Sequence, residues 1–158
     1  MKDSVTIDIY TDGASKGNPG NGGFGYVIQM GGYVYKYAQG EINTTNNRME
    51  LMAVIMGMEA LKRPCDVEIY SDSKYVIDAF NQHWIDNWQQ KGWKTSTKKP
   101  VLNIDLWKRL LKAKEPHQVT FTWVKGHVGH PENERCDKLA TTAADGEGLL
   151  DDIVQEVL

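Results

Sequence analysis

A chain of 158 residues with 41% apolar and 25% charged side chains is long enough to bury one core and too polar for a membrane protein, so one soluble folding unit is expected. Cys65 and Cys136 are too few for a disulfide framework and lack metal-ligand spacing. A net charge of −3 argues against a polyanion partner for the chain as a whole, but the distribution is uneven. Between Trp84 and Lys112 seven Lys/Arg face only Asp86 and Asp105, a local charge of +5, whereas Asp145 to Leu158 holds five acids and no Lys or Arg. The first residues, MKDSVTIDIY, carry no export signal, which predicts a cytoplasmic protein.

In chain order, Val5, Ile7 and Ile9 alternate with polar residues, predicting a strand that ends at Asp12-Gly13. After a Gly-rich stretch read as a hairpin connection from Lys16 to Gly23, Phe24, Tyr26, Ile28 and Met30 alternate again. Gly31-Gly32 then turns into a third strand through Tyr33, Tyr35 and Tyr37, completing an antiparallel meander. Asn47 to Lys62 has good helix formers and no strict alternation, predicting a largely buried helix before Pro64. Asp66 to Tyr70 is a fourth strand, Lys74 to Gln82 a helix, Asn103 to Lys114 a helix, Val119 to Val124 a fifth strand and Pro131 to Ala144 a final helix. Strands alternating with helices imply parallel pairing through right-handed crossovers, hence an α/β fold: a mixed five-stranded sheet with helices on both faces.

Gly20 to Gly25 matches the G-x-G-x-x-G of dinucleotide binding, but a strand follows where that motif needs a helix, and no P-loop lysine is present. No nucleotide cofactor is expected. The informative echo is IYTDG, Ile9 to Gly13, repeated as IYSDS, Ile69 to Ser73. Two strands end on an aspartate. If the first and fourth strands are parallel neighbours, Asp12 and Asp72 face each other, and paired carboxylates persist only with a shared proton or a cation. Oxygen-only ligands favour Mg²⁺ or Mn²⁺. The plainer alternatives are that Asp12-Gly13 is a turn and Asp72 a helix N-cap.

Glu50 lies in the first turn of the buried helix, where Asn47 to Glu50 also fits a capping-box-like start. Asp137 has Glu132 and Glu134 close by in sequence, and any of the three could be a solvated surface acid. His127, between Gly126 and Gly129, suits proton transfer beside a metal, or is an exposed loop residue.

YTDG around Asp12, TTNNRMEL from Thr44 to Leu51, SDSKYV from Ser71 to Val76 and WVKGHVGHPENERCDKLA from Trp123 to Ala140 together resemble the motifs of the type 1 ribonuclease H family, closest to its single-domain bacterial form. The resemblance runs in order from about Val5 to Ala144. It implies a ribonuclease H-like three-layer fold, with residues 1–144 as catalytic domain and 145–158 as an acidic C-terminal tail.

The resemblance further implies an endonuclease for the RNA strand of RNA–DNA hybrids, leaving 3′-hydroxyl and 5′-phosphate ends. Asp12, Glu50, Asp72 and Asp137 would be the four carboxylates that hold two Mg²⁺, with Mn²⁺ as a substitute. Asp12 would bridge the ions, Glu50 and Asp72 would hold the one near the leaving oxygen, and Asp137 the one near the attacking water. His127 would be the catalytic histidine, assisting proton transfer or product departure. Asn18, Asn46 and Asn47 would read 2′-hydroxyls, which donate and accept hydrogen bonds, while Thr45 and Asn87 would contact a DNA-strand phosphate.

WIDNWQQKGWKTSTKKP looks like the family's basic protrusion, interleaving Trp84, Trp88 and Trp93 with Lys91, Lys94, Lys98 and Lys99. Some of those tryptophans would instead pack internally. Gln89 and Gln90 stand where basic residues are common, and Lys74 where glutamine is. The partner implied is a hybrid duplex bound by a monomer, with no membrane. Two other readings are a different nuclease or recombinase on this fold, which should lack the Asn-Asn-Arg-Met-Glu string, and a non-catalytic hybrid-binding module, which should have lost an acid or the histidine.

Overall fold

A computed structural model describes residues 5–125, Ala140 and Leu150–Asp151. Three antiparallel strands lead: β1 (Val5–Gly17), β2 (Gly20–Met30) and β3 (Tyr33–Thr44). Helix α1 (Asn46–Glu59), strand β4 (Cys65–Ser71) and helices α2 (Lys74–Asn81), α3 (Trp84–Gln90) and α4 (Ile104–Lys114) follow, then strand β5 (Gln118–Trp123). The sheet order is β5-β4-β1-β2-β3, with β4 parallel to β1 and β5 parallel to β4, as a crossover topology requires. The two-residue β6 (Leu150–Asp151) adds a short edge beside β3.

Strand β1 does not end at Asp12-Gly13. It pairs with β2 as far as Gly17↔Gly20, so most of the expected connection from Lys16 to Gly23 is strand and only Asn18-Pro19 turns, through a cis peptide. Gly17 has φ +100, which the tight reversal needs and a side chain would resist. A two-residue turn lets the strands pair to their tips, and such pairing overrides the local Asp-Gly turn preference.

Helix α1 lies between β1–β2 on one side and α4 on the other, so residues from Arg48 to Met58 are almost all buried. This explains its lack of a polar stripe. It stops at Glu59, three residues short of the expected end. Helix α2 instead buries one face, Val76, Ile77 and Ala79, while β4 alternates buried and half-buried positions along its length. Ile9, Ile69 and Phe121 align across β1, β4 and β5 and join α1, α2 and Trp107 of α4 in one apolar cluster. Phe121 stacks on Phe80 at 4.1 Å.

Helices α1, α2 and α4 thus cover one face of the sheet. The final helix expected over 131–144 lies outside the described residues except Ala140, which is helical and fully buried. Helix α3 was not anticipated, because its seven residues fall inside the basic segment and carry little apolar periodicity.

Candidate active site

Parallel pairing of β1 with β4 ends at Tyr10↔Tyr70, and Asp12 and Asp72 each lie two residues beyond that pair. The echo of IYTDG in IYSDS is therefore a matched register across two neighbouring strands. The Thr11 hydroxyl donates to the Tyr70 carbonyl at 3.1 Å, tying the two chains where they begin to diverge.

Glu50 arrives from α1, and Gly13 permits its approach. A Cβ on Gly13 would overlap the Met49 carbonyl and the Glu50 nitrogen, so only glycine lets the first turn of α1 lie against β1. The Gly13 amide donates to Asp12 Oδ1 at 2.9 Å and to Glu50 Oε1 at 3.1 Å. One carboxylate oxygen each from Asp12, Glu50 and Asp72 lies within 4.8 Å of the others, with Asp12 only 3% and Glu50 5% exposed.

Burial first, then the charges of Asp12 and Asp72, push the Glu50 carboxyl well above its usual range, although the Gly13 N–H works the other way. A cation among three crowded carboxylates relieves both costs. An all-oxygen set of this kind suits a hard divalent ion such as Mg²⁺ or Mn²⁺ rather than a thiolate-seeking metal.

Neither α1 nor α2 is capped by one of these acids. Thr45, not Asn47, caps α1: its hydroxyl oxygen accepts from the Arg48 amide at 3.2 Å. Ser73, not Asp72, caps α2 by accepting from the Val76 amide at 3.3 Å. The capping-box reading of Glu50 and the N-cap reading of Asp72 are both displaced by the neighbouring hydroxyl residue.

Two of the expected substrate asparagines meet at the start of α1, the helix that carries Glu50, and the expected residues of the basic segment form a separate surface. Asn18 at the β1–β2 turn accepts from the Asn46 amide at 3.1 Å, which joins two of the three asparagines, and Asn47 is exposed next to them. Trp88 contacts Trp84, Trp93 and the fully buried Trp107, so it is part packing and part surface. Exposed Trp84, Asn87, Lys91 and Lys94 line a groove with it, while Lys98 and Lys99 are exposed on the loop that Thr95 closes by donating to the Lys99 carbonyl. Arg109, counted in the basic patch, is committed to a two-point pair with Glu59. His127 and Asp137 lie outside the described residues.

Sequence reasoning missed three supporting residues. Gly13 was hidden by its turn propensity. Arg48 is 2% exposed, pairs with Asp105 at 2.7 Å and donates to Asn103, whose amide donates to the Tyr75 hydroxyl. Trp123 donates its indole N–H to the Asp72 carbonyl at 3.1 Å. The TNNR string signals only that a charge lies one turn into a buried helix, and nothing local signals the other two.

A mixed sheet in this strand order, with acids within β1, just past the end of β4 and on α1, defines the ribonuclease H-like class of α/β folds. The family model described as RNase H matches residues 4–145, and the chain belongs to the ribonuclease H family. A ribonuclease H from Lachnoclostridium phytofermentans is 60% identical over 158 residues, covering 96% of this chain and 100% of that protein. The crystal structure of LC9-RNase H1, a type 1 RNase H with the type 2 active-site motif, matches at TM-score 0.80 and 32% identity over 92% of this chain and 75% of that one. LC11-RNase H1 in complex with an RNA/DNA hybrid matches at TM-score 0.66 and 25% identity over 88% of this chain and 96% of that one. The chain is accordingly a nuclease of the hydrolase class, of the single-domain bacterial type. Among the described residues no helix is long and apolar enough to cross a membrane.

Proposed function

We propose that this chain cuts the RNA strand of RNA–DNA hybrids endonucleolytically, leaving 5′-phosphate and 3′-hydroxyl ends. Asp12, Glu50, Asp72 and Asp137 would hold two Mg²⁺ ions, or Mn²⁺ in their place. The observation that carries this reading is the convergence of Asp12, Glu50 and Asp72 within 4.8 Å, two of them buried, in a member of the ribonuclease H family.

When bound, a pair of divalent ions neutralises charge on both the attacking and the departing oxygen of an in-line phosphodiester displacement. The protein's own part is to hold four acids in place for them. Gly13 orients Asp12 and Glu50 through its amide, and the β4–α2 turn fixes Asp72. His127 moves a proton or speeds product departure. Asn18, Asn46 and Asn47 distinguish RNA by its 2′-hydroxyls, and Thr45 and Asn87 take a DNA-strand phosphate. Trp84, Trp88 and Trp93 with Lys91, Lys94, Lys98 and Lys99 hold the duplex away from the cut.

Residues 1–144 form the catalytic unit and 145–158 an acidic tail, in a monomeric cytoplasmic protein. Labelled hybrid should be cleaved with Mg²⁺ and left intact with chelator, and Asp12→Asn or Asp72→Asn should abolish cleavage while retaining hybrid binding. Intact hybrid at saturating enzyme and Mg²⁺, or equal cutting of DNA–DNA duplex, overturns the proposal.

A further inference from the structure

The turn that carries Asp72 is held from three directions. The Ser73 amide donates to the Ser71 hydroxyl at 3.0 Å, the Val124 amide donates to the Ser71 carbonyl at 2.9 Å, and the Trp123 indole N–H donates to the Asp72 carbonyl at 3.1 Å. The first two fix residues flanking Asp72. The Ser73 amide shares a peptide unit with the Asp72 carbonyl and the Ser71 carbonyl belongs to the other, so the three bonds together hold both peptide units of Asp72, and the Trp123 bond is the one supplied by a side chain from β5.

Trp123 is an unusual residue to find at this position for packing alone. It ends β5 opposite Ser71 and is 40% exposed, so its ring makes a small contribution to the core. The Lys74 ammonium sits 4.6 Å from the centre of that ring. A cation over an indole face is attracted by the ring quadrupole and restrains the ring's rotation. Lys74 begins α2 directly after the Ser73 cap, so the same turn that presents Asp72 also supplies the cation that steadies the indole. The result is a closed loop of contacts: Asp72 to Trp123 through a hydrogen bond, Trp123 to Lys74 through the ring, and Lys74 back to Asp72 through two peptide units.

We infer that Trp123 is a positioning residue for Asp72, with its indole N–H fixing the aspartate's peptide unit and Lys74 steadying the ring. This rests on the proposal that Asp72 binds a divalent ion, and the test separates the two. Mg²⁺ binding to the full chain, without substrate, is measured by titration calorimetry. Asp72→Asn should lose most Mg²⁺ affinity, and if it binds as the natural chain does, the metal reading itself fails. Trp123→Phe keeps a ring beneath Lys74 and removes the donor.

Loss of one hydrogen bond that is felt only through orientation should weaken Mg²⁺ binding about fivefold. The KM for hybrid should hold steady, kcat should be restored by raising Mg²⁺, and the thermal midpoint should be unchanged. Mg²⁺ affinity in Trp123→Phe within twofold of the natural chain, with Asp72→Asn impaired, overturns the inference alone. So does a weakened affinity that is matched by a lowered thermal midpoint. In the natural chain the Trp123 indole N–H resonance should shift with the same Mg²⁺ midpoint as the Asp72 amide, and Lys74→Met should speed that indole's hydrogen exchange. A silent indole resonance, or unchanged exchange, counts against it.

Discussion

Gly13 and Glu50 show how much of the site depends on single atoms. The missing Cβ of Gly13 lets α1 touch β1, and its amide serves two carboxylates at once. Gly13→Ala forces the helix start away from the strand. It should cost about 1–3 kcal/mol of stability by overpacking. It should also cut hybrid cleavage far more than hybrid binding, compared through denaturant melts and binding titrations.

Glu50 predicts the pH behaviour of the metal-free protein. Burial and two neighbouring acids raise its folded pKa above the unfolded value, so the folded state holds the proton more tightly. Its contribution to stability is complete below the unfolded pKa and is lost as pH rises through the folded one. Melts in chelator should therefore show a loss of stability on raising pH that Mg²⁺ abolishes and Glu50→Gln reduces. A flat profile in chelator would contradict this.

At the scale of elements, α1 and α4 are joined by the Arg48–Asp105 pair, with Asn103, Tyr75 and the Trp107 indole completing a buried polar chain to α2. Burial pushes the Asp105 carboxyl up, but hydrogen bonds and charge from Arg48 prevail and hold it below the usual range. A depressed folded pKa stabilises above the unfolded value of about 3.9 and is lost as pH falls through the folded one. Asp105 should add no slope at neutral pH and should steepen unfolding in acid. Asp105→Asn, which strips a buried guanidinium of its counter-charge, should cost about 3 kcal/mol at pH 7. Arg48→Met with Asp105→Leu should recover much of that loss in urea melts. The start of α1 carries Asn46, Asn47 and Glu50, so the single variant should also lower cleavage.

Across the whole molecule, charge is segregated. The protrusion is basic, the C-terminal residues are acidic, and β6 runs parallel to β3 with Asp151 opposite Ile42, three residues before the Thr45 cap. This pairing brings Leu150–Asp151 alongside the strand that leads into α1, whose Asn46 and Asn47 are proposed to read the duplex. Neutralising Asp151, Asp152 and Glu156 to their amides in the full chain should tighten hybrid binding severalfold at low salt. The gain should shrink once the screening length falls below about 10 Å, near 0.1 M salt. A gain independent of salt would exclude an electrostatic origin.

Periodicity alone gave the three-strand meander, the buried α1 and the parallel second half, because alternation and helical spacing are local consequences of which faces must be covered. The paired aspartates were equally legible, since Ile9-Tyr10-Thr11 and Ile69-Tyr70-Ser71 each lead directly to one. Where local preference met tertiary pairing, the sequence misled. Asp12-Gly13 has turn chemistry, yet β2 holds it in a strand to Gly17, and the hydroxyls of Thr45 and Ser73 took the capping roles considered for Asn47 and Asp72. The residues that steady the site, Gly13, Arg48 and Trp123, were invisible for one reason. Each acts on a partner 37 or more positions away, and only folding decides which distant atoms become neighbours.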